Sequence, residues 1–153
     1  MKNNKDLIVK IKKLKPNAIL PEYQTPASAG MDIHACLDEP ITIKPMERVV
    51  VPTGLSIELP MGYESRIHSR SGLSFRDGIT MANGTGIIDA DYRGEYGILL
   101  INFSDKPFII EPGMRIAQLV VSRYEHITWD EVDELSETKR GSGGFGSTGT
   151  KKS

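Results

Sequence analysis

The sequence predicts an all-β fold, a sandwich or a barrel of many short strands. Apolar and polar residues alternate with a period of two in short runs as far as Tyr124, as they do in half-buried strands. Turn-forming residues (Gly, Pro, Asn and Asp) cluster between these runs. Only the stretch from Ser71 to Asp77 has a pattern that allows a helix, and there for a single turn.

The first predicted strand contains Leu7, Val9 and Ile11, which alternate with Ile8, Lys10 and Lys12. Turn signals such as Asn83-Gly84 and Glu111-Pro112-Gly113 separate the later strands. These later strands are predicted at Met31 to Cys36, Ile41 to Lys44, Arg48 to Val51, Leu55 to Leu59, Tyr63 to His68, Gly97 to Phe103, Phe108 to Ile110 and Arg115 to Tyr124.

A chain of 153 residues has the size of one domain with a tail. We assign residues 1–125 to the β domain, and residues 126–139, which are acidic and poor in apolar side chains, to an exposed connector. Residues 140–153 have the Gly/Ser composition of a flexible tail. Arg140 and Phe145 are unusual in a passive linker, because one can pair with phosphate and the other can stack.

Charge and cysteine content exclude several classes of protein. The 19 Lys and Arg and 20 Asp and Glu give a net charge of -1, which argues against a general nucleic-acid binder. Cys36 is the only cysteine, and no Cys/His group has zinc spacing. Since no apolar run has the length of a membrane span, we expect a cytoplasmic protein, or one of another reducing compartment, without membrane partners.

Two segments combine small residues with charged ones. Ser69-Arg70-Ser71-Gly72 places an arginine, a hydroxyl and a glycine at the end of a strand, where they can cradle an anion. An exposed arginine in an ordinary loop explains that segment equally well. Ala29-Gly30-Met31-Asp32 is explained on its own by a turn that begins a strand.

The third segment runs from Asn83 to Glu95 and is the most informative. Asn83-Gly84 predicts a hairpin turn. If the strand that follows continues far enough, Asp89 and Asp91 point to the same side of it. Two such close carboxylates point to a catalytic or paired role for at least one of them, although pairing with Arg93 or another cation on a sheet surface is the preferred explanation for this segment alone.

In their order along the chain these segments resemble the five motifs of the trimeric dUTPases. The similarity spans residues 29 to 149, and one departure is Ser69, where the family often has proline. The motifs stand here as Ala29-Gly30-Met31-Asp32, Arg70-Ser71-Gly72-Leu73, Asn83 through Glu95, Gly113-Met114-Arg115-Ile116-Ala117-Gln118-Leu119 and Arg140 through Gly149.

The resemblance implies a jelly-roll-like β-barrel that forms a homotrimer, with each site shared between subunits. It also implies hydrolysis of dUTP to dUMP and pyrophosphate, with Asp89 as the general base that activates water for attack on the α-phosphorus. Mg²⁺ is expected on the triphosphate, with Asp32 holding one of its waters.

The remaining site residues carry roles implied by the same resemblance. Uracil recognition is expected from the hairpin, deoxyribose packing from Tyr92, phosphate binding from the second and fourth motifs, and a closing lid from the tail, in which Phe145 stacks on uracil. The residues are Asn83, Gly86, Ile87 and Ile88 for uracil, Arg70, Ser71, Gly72 and Gln118 for phosphates, and Arg140, Phe145, Gly146, Ser147 and Thr148 for the lid.

Two alternatives remain at this point. The first is a dCTP deaminase or a bifunctional deaminase on the same scaffold, but those relatives use a glutamate base and lack this tail. A non-catalytic nucleotide sensor would bind dUTP and signal to a protein partner. The run Asp89-Ala90-Asp91-Tyr92 and the tail from Arg140 to Gly149 favour the pyrophosphatase.

Overall fold

The computed structural model describes residues 6–150, and it is nearly all-β, as predicted. Eleven short strands and one π-helical turn make up its regular structure. The strands are β1 (Lys10–Lys13), β2 (Met31–His34), β3 (Ile41–Ile43), β4 (Arg48–Pro52), β5 (Leu55–Glu58), β6 (Tyr63–His68), β7 (Ile79–Met81), β8 (Gly86–Ile88), β9 (Gly97–Asn102), β10 (Phe108–Ile110) and β11 (Arg115–Arg123), and the helical turn is Leu73–Asp77.

Antiparallel pairing arranges the strands into four sheets. The largest has the order β2-β11-β6-β8, and a three-stranded sheet has the order β4-β9-β7. Two-stranded sheets join β1 to β5 and β3 to β10. Hydrogen bonding between the described strands therefore does not close a continuous barrel within one chain.

The inner faces of these sheets meet in a main apolar core, and a small second cluster contains Ala18, Cys36 and Leu55. Val51, Ile98 and Leu100 are completely buried, and they come from the paired strands β4 and β9. Burying a side chain of this size contributes about 1.5–3 kcal/mol. Asn102, at the end of β9, is also buried and donates to the carbonyls of Ile43 (2.9 Å) and Lys106 (2.7 Å). The amide therefore ties the end of β3 and the loop before β10 to the end of β9.

The structure corrects the predicted strands in three places. The first strand begins at Lys10 and not at Leu7, and all four of its residues are exposed. Strand β7 was missed because three residues are too few for a period of two to show. Strand β8 ends at Ile88, because the next residues form a turn in which Tyr92 N–H donates to the carbonyl of Asp89 (3.2 Å). Asp89 and Asp91 therefore do not share a strand face.

Residues 126–139 contain neither strand nor helix. Their apolar side chains face outward, and the exposed fractions are 66% for Ile127, 86% for Trp129 and 86% for Leu135. The following segment, 140–150, forms local turns such as the one closed by Gly143 N–H and the carbonyl of Arg140 (3.0 Å). Within residues 6–150, no helix has the length and apolarity needed to cross a membrane.

Candidate active site

A buried carboxylate with two arginines forms the first group of site residues. Asp32 lies on β2, where its side chain is only 10% exposed. Its Oδ1 atom is 3.2 Å from Nε of Arg70, and its Oδ2 atom is 3.4 Å from Nη1 of Arg115. A buried carboxylate needs such partners to remain charged. Asp32 thereby holds Arg70, which follows the end of β6, against the edge of the sheet.

Gln118 of β11 joins this group. It lies opposite Asp32 on one side and His68 on the other, and its Nε2 donates to the carbonyl of Ser69 (3.1 Å). That bond fixes the segment leading into Ser71 and Gly72, both of which are exposed. A cavity of about 520 Å³ opens beside the group, and its lining includes Gln24, Ser28, Gly30, Asp32, His68 and Gln118.

His34, two residues beyond Asp32, has its Nδ1 atom buried without a hydrogen-bond partner among residues 6–150. Burial lowers the pKa of this imidazole, although the Asp32 carboxylate opposes that shift. A neutral ring is therefore the favoured form beside the two arginines.

The predicted hairpin turn is present at Asn83-Gly84. Gly84 has a φ of 69°, in the left-handed region that glycine adopts easily, and its N–H donates to the carbonyl of Met81 (3.2 Å). Strand β8 then pairs with β6, placing Ile87 opposite Arg66 and Ile88 opposite Ser65. Asn83 and Ile87 are exposed at this edge.

Asp89 and Tyr92 line one cavity just beyond the end of β8. This cavity has a volume of about 210 Å³, and Ile87, Ile88, Asp89, Tyr92, Glu95, Tyr96 and Gly97 line it. Asp89 is exposed to solvent and also borders a second cavity with Glu64 and Asp91. A carboxylate here can accept a proton from a water molecule.

Hydrogen bonds that the sequence did not predict hold this loop in place. The hydroxyl of Thr53 donates to the carbonyl of Tyr96 (2.6 Å), and the Tyr96 hydroxyl shares a hydrogen bond with Ser65 (2.8 Å). Burial raises the pKa of Tyr96, which keeps its phenol protonated. Glu95 accepts from Gly54 N–H (2.7 Å). Only the position of Tyr96 beside the third motif could have pointed to this network.

The structure does not bring all of the predicted site residues together. Arg70 lies two residues beyond the end of β6, whereas Asp89 follows Ile88, which pairs with Ser65, the third of the six residues of β6. Asp89 borders a cavity with Glu64, which lies six residues before Arg70, so the two groups are about 20 Å apart along the direction of β6. Of the predicted lid residues, Arg140 donates to the carbonyl of Gly143 (2.8 Å), and Phe145 is fully exposed. Ser147 and Thr148 are exposed as well.

The described part of the chain has no cluster of side chains that could bind a metal ion on their own. Residues 6–150 contain no group of three or more His, Cys, Asp or Glu side chains placed to bind an ion. Each oxygen of Asp32 accepts one hydrogen bond or ion pair and keeps a further lone pair. This donor set suits a metal-bound water better than a bare metal ion, as Mg²⁺ retains several of its waters.

A family model described as dUTPase matches residues 16–149, which is most of the chain. The chain belongs to the dUTPase family. It is accordingly a hydrolase of nucleotide metabolism, a dUTP diphosphatase. The deoxyuridine 5'-triphosphate nucleotidohydrolase of Rickettsia akari is 56% identical over 142 residues, covering 92% of this chain and 96% of that protein.

Solved structures of family members have the same fold. The dUTPase of Staphylococcus bacteriophage 80alpha, in a structure with dUpNHpp, is 31% identical, with a TM-score of 0.85 over 94% of this chain and 99% of that one. A dUTPase variant of phage phi11 of S. aureus, 26% identical, has a TM-score of 0.76 over 85% of this chain and 99% of that chain. The phi11 structure is described as revealing the coordination of a structural Mg(II) ion.

Proposed function

We propose that the chain hydrolyses dUTP to dUMP and pyrophosphate by in-line attack of a water, activated by Asp89, on the α-phosphorus. The observation that carries the proposal is the cavity in which the Asp89 carboxylate and the Tyr92 ring meet at the end of β8. The Asp89 carboxylate can accept the water's proton there, and the Tyr92 ring borders the nucleotide. The reaction lowers the level of dUTP and supplies dUMP for dTMP synthesis.

The base is recognised by the hairpin. The Asn83 amide and the backbone of Gly86, Ile87 and Ile88 match the donor and acceptor pattern of uracil, which cytosine inverts. A site of this kind rejects the wrong base because its polar groups would be left unpaired. The Tyr92 ring leaves no space for a 2′-hydroxyl, and this favours dUTP over UTP.

The triphosphate is bound by Arg70, Ser71, Gly72 and Gln118, with Ser71 nearest the bond that breaks. The Asp32 carboxylate supports this assignment because it holds the Arg70 guanidinium at 3.2 Å. Hydrogen bonds and positive charge placed where charge develops are the main source of rate enhancement in such transfers. Bound Mg²⁺ neutralises charge on the phosphate oxygens, and Asp32 accepts a hydrogen bond from one of its waters.

The tail completes the site as a lid. Arg140, Gly146, Ser147 and Thr148 close over the γ-phosphate, and Phe145 stacks on uracil. The Phe145 side chain is fully exposed, and residues 140–150 form local turns. Closing the lid over the substrate excludes water other than the attacking one.

The active form is a homotrimer whose sites are shared between subunits, and each subunit is a jelly-roll-like β-barrel. The distance of about 20 Å between the two ends of β6 supports sharing, since a general base must be within hydrogen-bond reach of its water. Phosphate donors from one subunit and Asp89 from another would then meet across an interface. The buried, single Cys36 is consistent with a cytoplasmic location or another reducing compartment.

Labelled water tests the site of attack. Hydrolysis in water enriched in heavy oxygen should place the label in dUMP and not in pyrophosphate, because the nucleophile adds to the α-phosphorus. Mass spectrometry of the two products measures this directly. Label found in pyrophosphate would show attack at the β-phosphorus and would refute the mechanism.

Mixing inactive variants tests the sharing of sites. We expect Asp89→Asn and Arg70→Met to be inactive alone. After unfolding and refolding together, about a quarter of the sites should combine an intact Asp89 with an intact Arg70 from different subunits and regain activity. Each variant refolded alone is the control. A mixture that forms mixed trimers without regaining activity would contradict shared sites.

A further inference from the structure

The Tyr92 ring lies directly over Gly94. A Cβ atom built at Gly94 falls 2.5 Å from Cζ of Tyr92 and nearer still to its hydroxyl oxygen. Real Cβ atoms essentially never come within 3.0 Å of such neighbours. Apart from the adjoining residues Arg93 and Glu95, the three atoms nearest to this Cβ all belong to Tyr92. The ring can therefore take its present position only above a residue without a side chain.

Backbone conformation does not require glycine at position 94. Gly94 is not among the glycines with positive φ, in contrast to Gly84, so that an L-residue can adopt its backbone angles. The absence of a side chain at Gly94 is thus explained by the tyrosine ring and not by the turn.

Two further contacts define the position of the ring. The Tyr92 hydroxyl donates to the carbonyl of Glu95 (3.0 Å). On another side lies Tyr96, with the two ring centroids 6.2 Å apart. Tyr96 is 1% exposed and hydrogen-bonded to Ser65, so its ring is held in place. The Tyr92 ring, 43% exposed, is the movable partner.

We propose that Gly94 is a positioning residue that sets the place of the Tyr92 ring and, through it, the preference for deoxyribose over ribose. The proposal rests on the proposed role of Tyr92 against the sugar. A methyl group at Gly94 displaces the ring, because the far end of a side chain moves more easily than backbone. The Tyr92 hydroxyl then loses its hydrogen bond to the Glu95 carbonyl, and the ring no longer occupies the space that a 2′-hydroxyl would need.

The test compares kcat/KM for dUTP and UTP in the wild type, Gly94→Ala, Tyr92→Ala and the double variant. In Gly94→Ala the dUTP-to-UTP ratio should fall about tenfold or more, the discrimination that one small group in a pocket can carry. In the Tyr92→Ala background the same change should alter the ratio by less than about twofold, since no ring remains to be displaced.

An unchanged ratio in Gly94→Ala would overturn the proposal, and so would an equal effect of Gly94→Ala in both backgrounds. A general loss of stability would lower turnover of both nucleotides together and would leave their ratio unchanged, so the ratio separates positioning from folding. If Gly94→Ala does not fold, the double variant shows whether the Tyr92 ring or the backbone is the cause. It folds if the ring is the obstacle, and its failure to fold would show that the backbone needs the glycine.

A crystal structure of Gly94→Ala provides a readout that does not depend on activity. We expect the Tyr92 hydroxyl to lie beyond hydrogen-bond distance of the Glu95 carbonyl, and an unmoved ring would refute the proposal. A wild-type protein without dUTP hydrolysis would instead refute the proposed function, and the ring position would still be judged from the crystal structure. Equal turnover of dUTP and UTP by the wild type would overturn the role of Tyr92, and the inference with it.

Discussion

Asp32 shows how one buried charge organises several others. Its two oxygens are each engaged by a different arginine, Arg70 at 3.2 Å and Arg115 at 3.4 Å. The sequence placed Asp32 at the beginning of a strand but could not show these partners, because Arg115 lies 83 residues away. Long-range ion pairs of this kind depend on strand register, here the pairing of β2 with β11.

Replacing Asp32 by Asn should lower kcat/KM for dUTP by about 10- to 100-fold, the usual effect of losing a residue that supports binding groups or metal-bound water. The amide cannot hold both guanidinium groups as a carboxylate does. Steady-state kinetics at several Mg²⁺ concentrations measure the effect. Asp38→Asn is the matched control, because that side chain is 79% exposed. Equal kinetics for the two variants would contradict the role of Asp32.

Tyr96 predicts a pH dependence of stability. Burial raises the pKa of its phenol above the ordinary value of about 10, so that the unfolded chain loses this proton at lower pH than the folded chain. The unfolded state therefore holds fewer protons above about pH 10, and the free energy of unfolding falls there. Below that pH both states keep the proton, and the contribution does not change.

As the pH rises from about 9 to 11, the free energy of unfolding should fall less in Tyr96→Phe than in the wild type, because the variant lacks the titrating phenol. Urea unfolding at fixed protein concentration measures the difference. Tyr23→Phe, at a position that is 55% exposed, should behave like the wild type. Identical pH slopes for all three proteins would contradict the prediction.

Strands, turns and the loop beyond β8 were predictable to different degrees. The Asn83-Gly84 turn was predicted correctly because its chemistry is local: a φ of 69° favours glycine. The end of β8 was missed because a turn begins at Asp89, where the sequence still allows a strand. The bond between Ser65 and Tyr96 joins residues 31 positions apart and has no local signal.

The proposed role of the tail, which contains Phe145, leads to a further prediction. The Phe145 side chain is fully exposed and buries no apolar surface, so Phe145→Ala should leave the thermal unfolding midpoint unchanged. The same change should raise KM for dUTP, since stacking of an aromatic ring on a base contributes about 1–3 kcal/mol. Phe75→Ala, at a position 96% exposed, is the matched control. An unchanged KM in Phe145→Ala would show that the tail does not bind the base.

The molecule as a whole was predicted as all-β from its short alternating runs, and that prediction is confirmed. The alternation of apolar and polar residues carries no information about subunit assembly. Strand pairing within one chain leaves the strands in four separate sheets. The separation of Arg70 from Asp89 along β6 became visible only with the strand register. It is the physical reason for expecting the site to be completed by a second subunit.

The most direct test of the account is pyrophosphate release with Mg²⁺ from dUTP, dCTP, dTTP and UTP in parallel, for the wild type and Asp89→Asn. We predict turnover of dUTP alone and its loss in the variant, which removes the carboxylate that we propose activates the water and keeps the side-chain shape. Turnover of all four nucleotides, or an Asp89→Asn variant as active as the wild type, would contradict the account. A folded trimer that binds dUTP without hydrolysing it would indicate a nucleotide sensor.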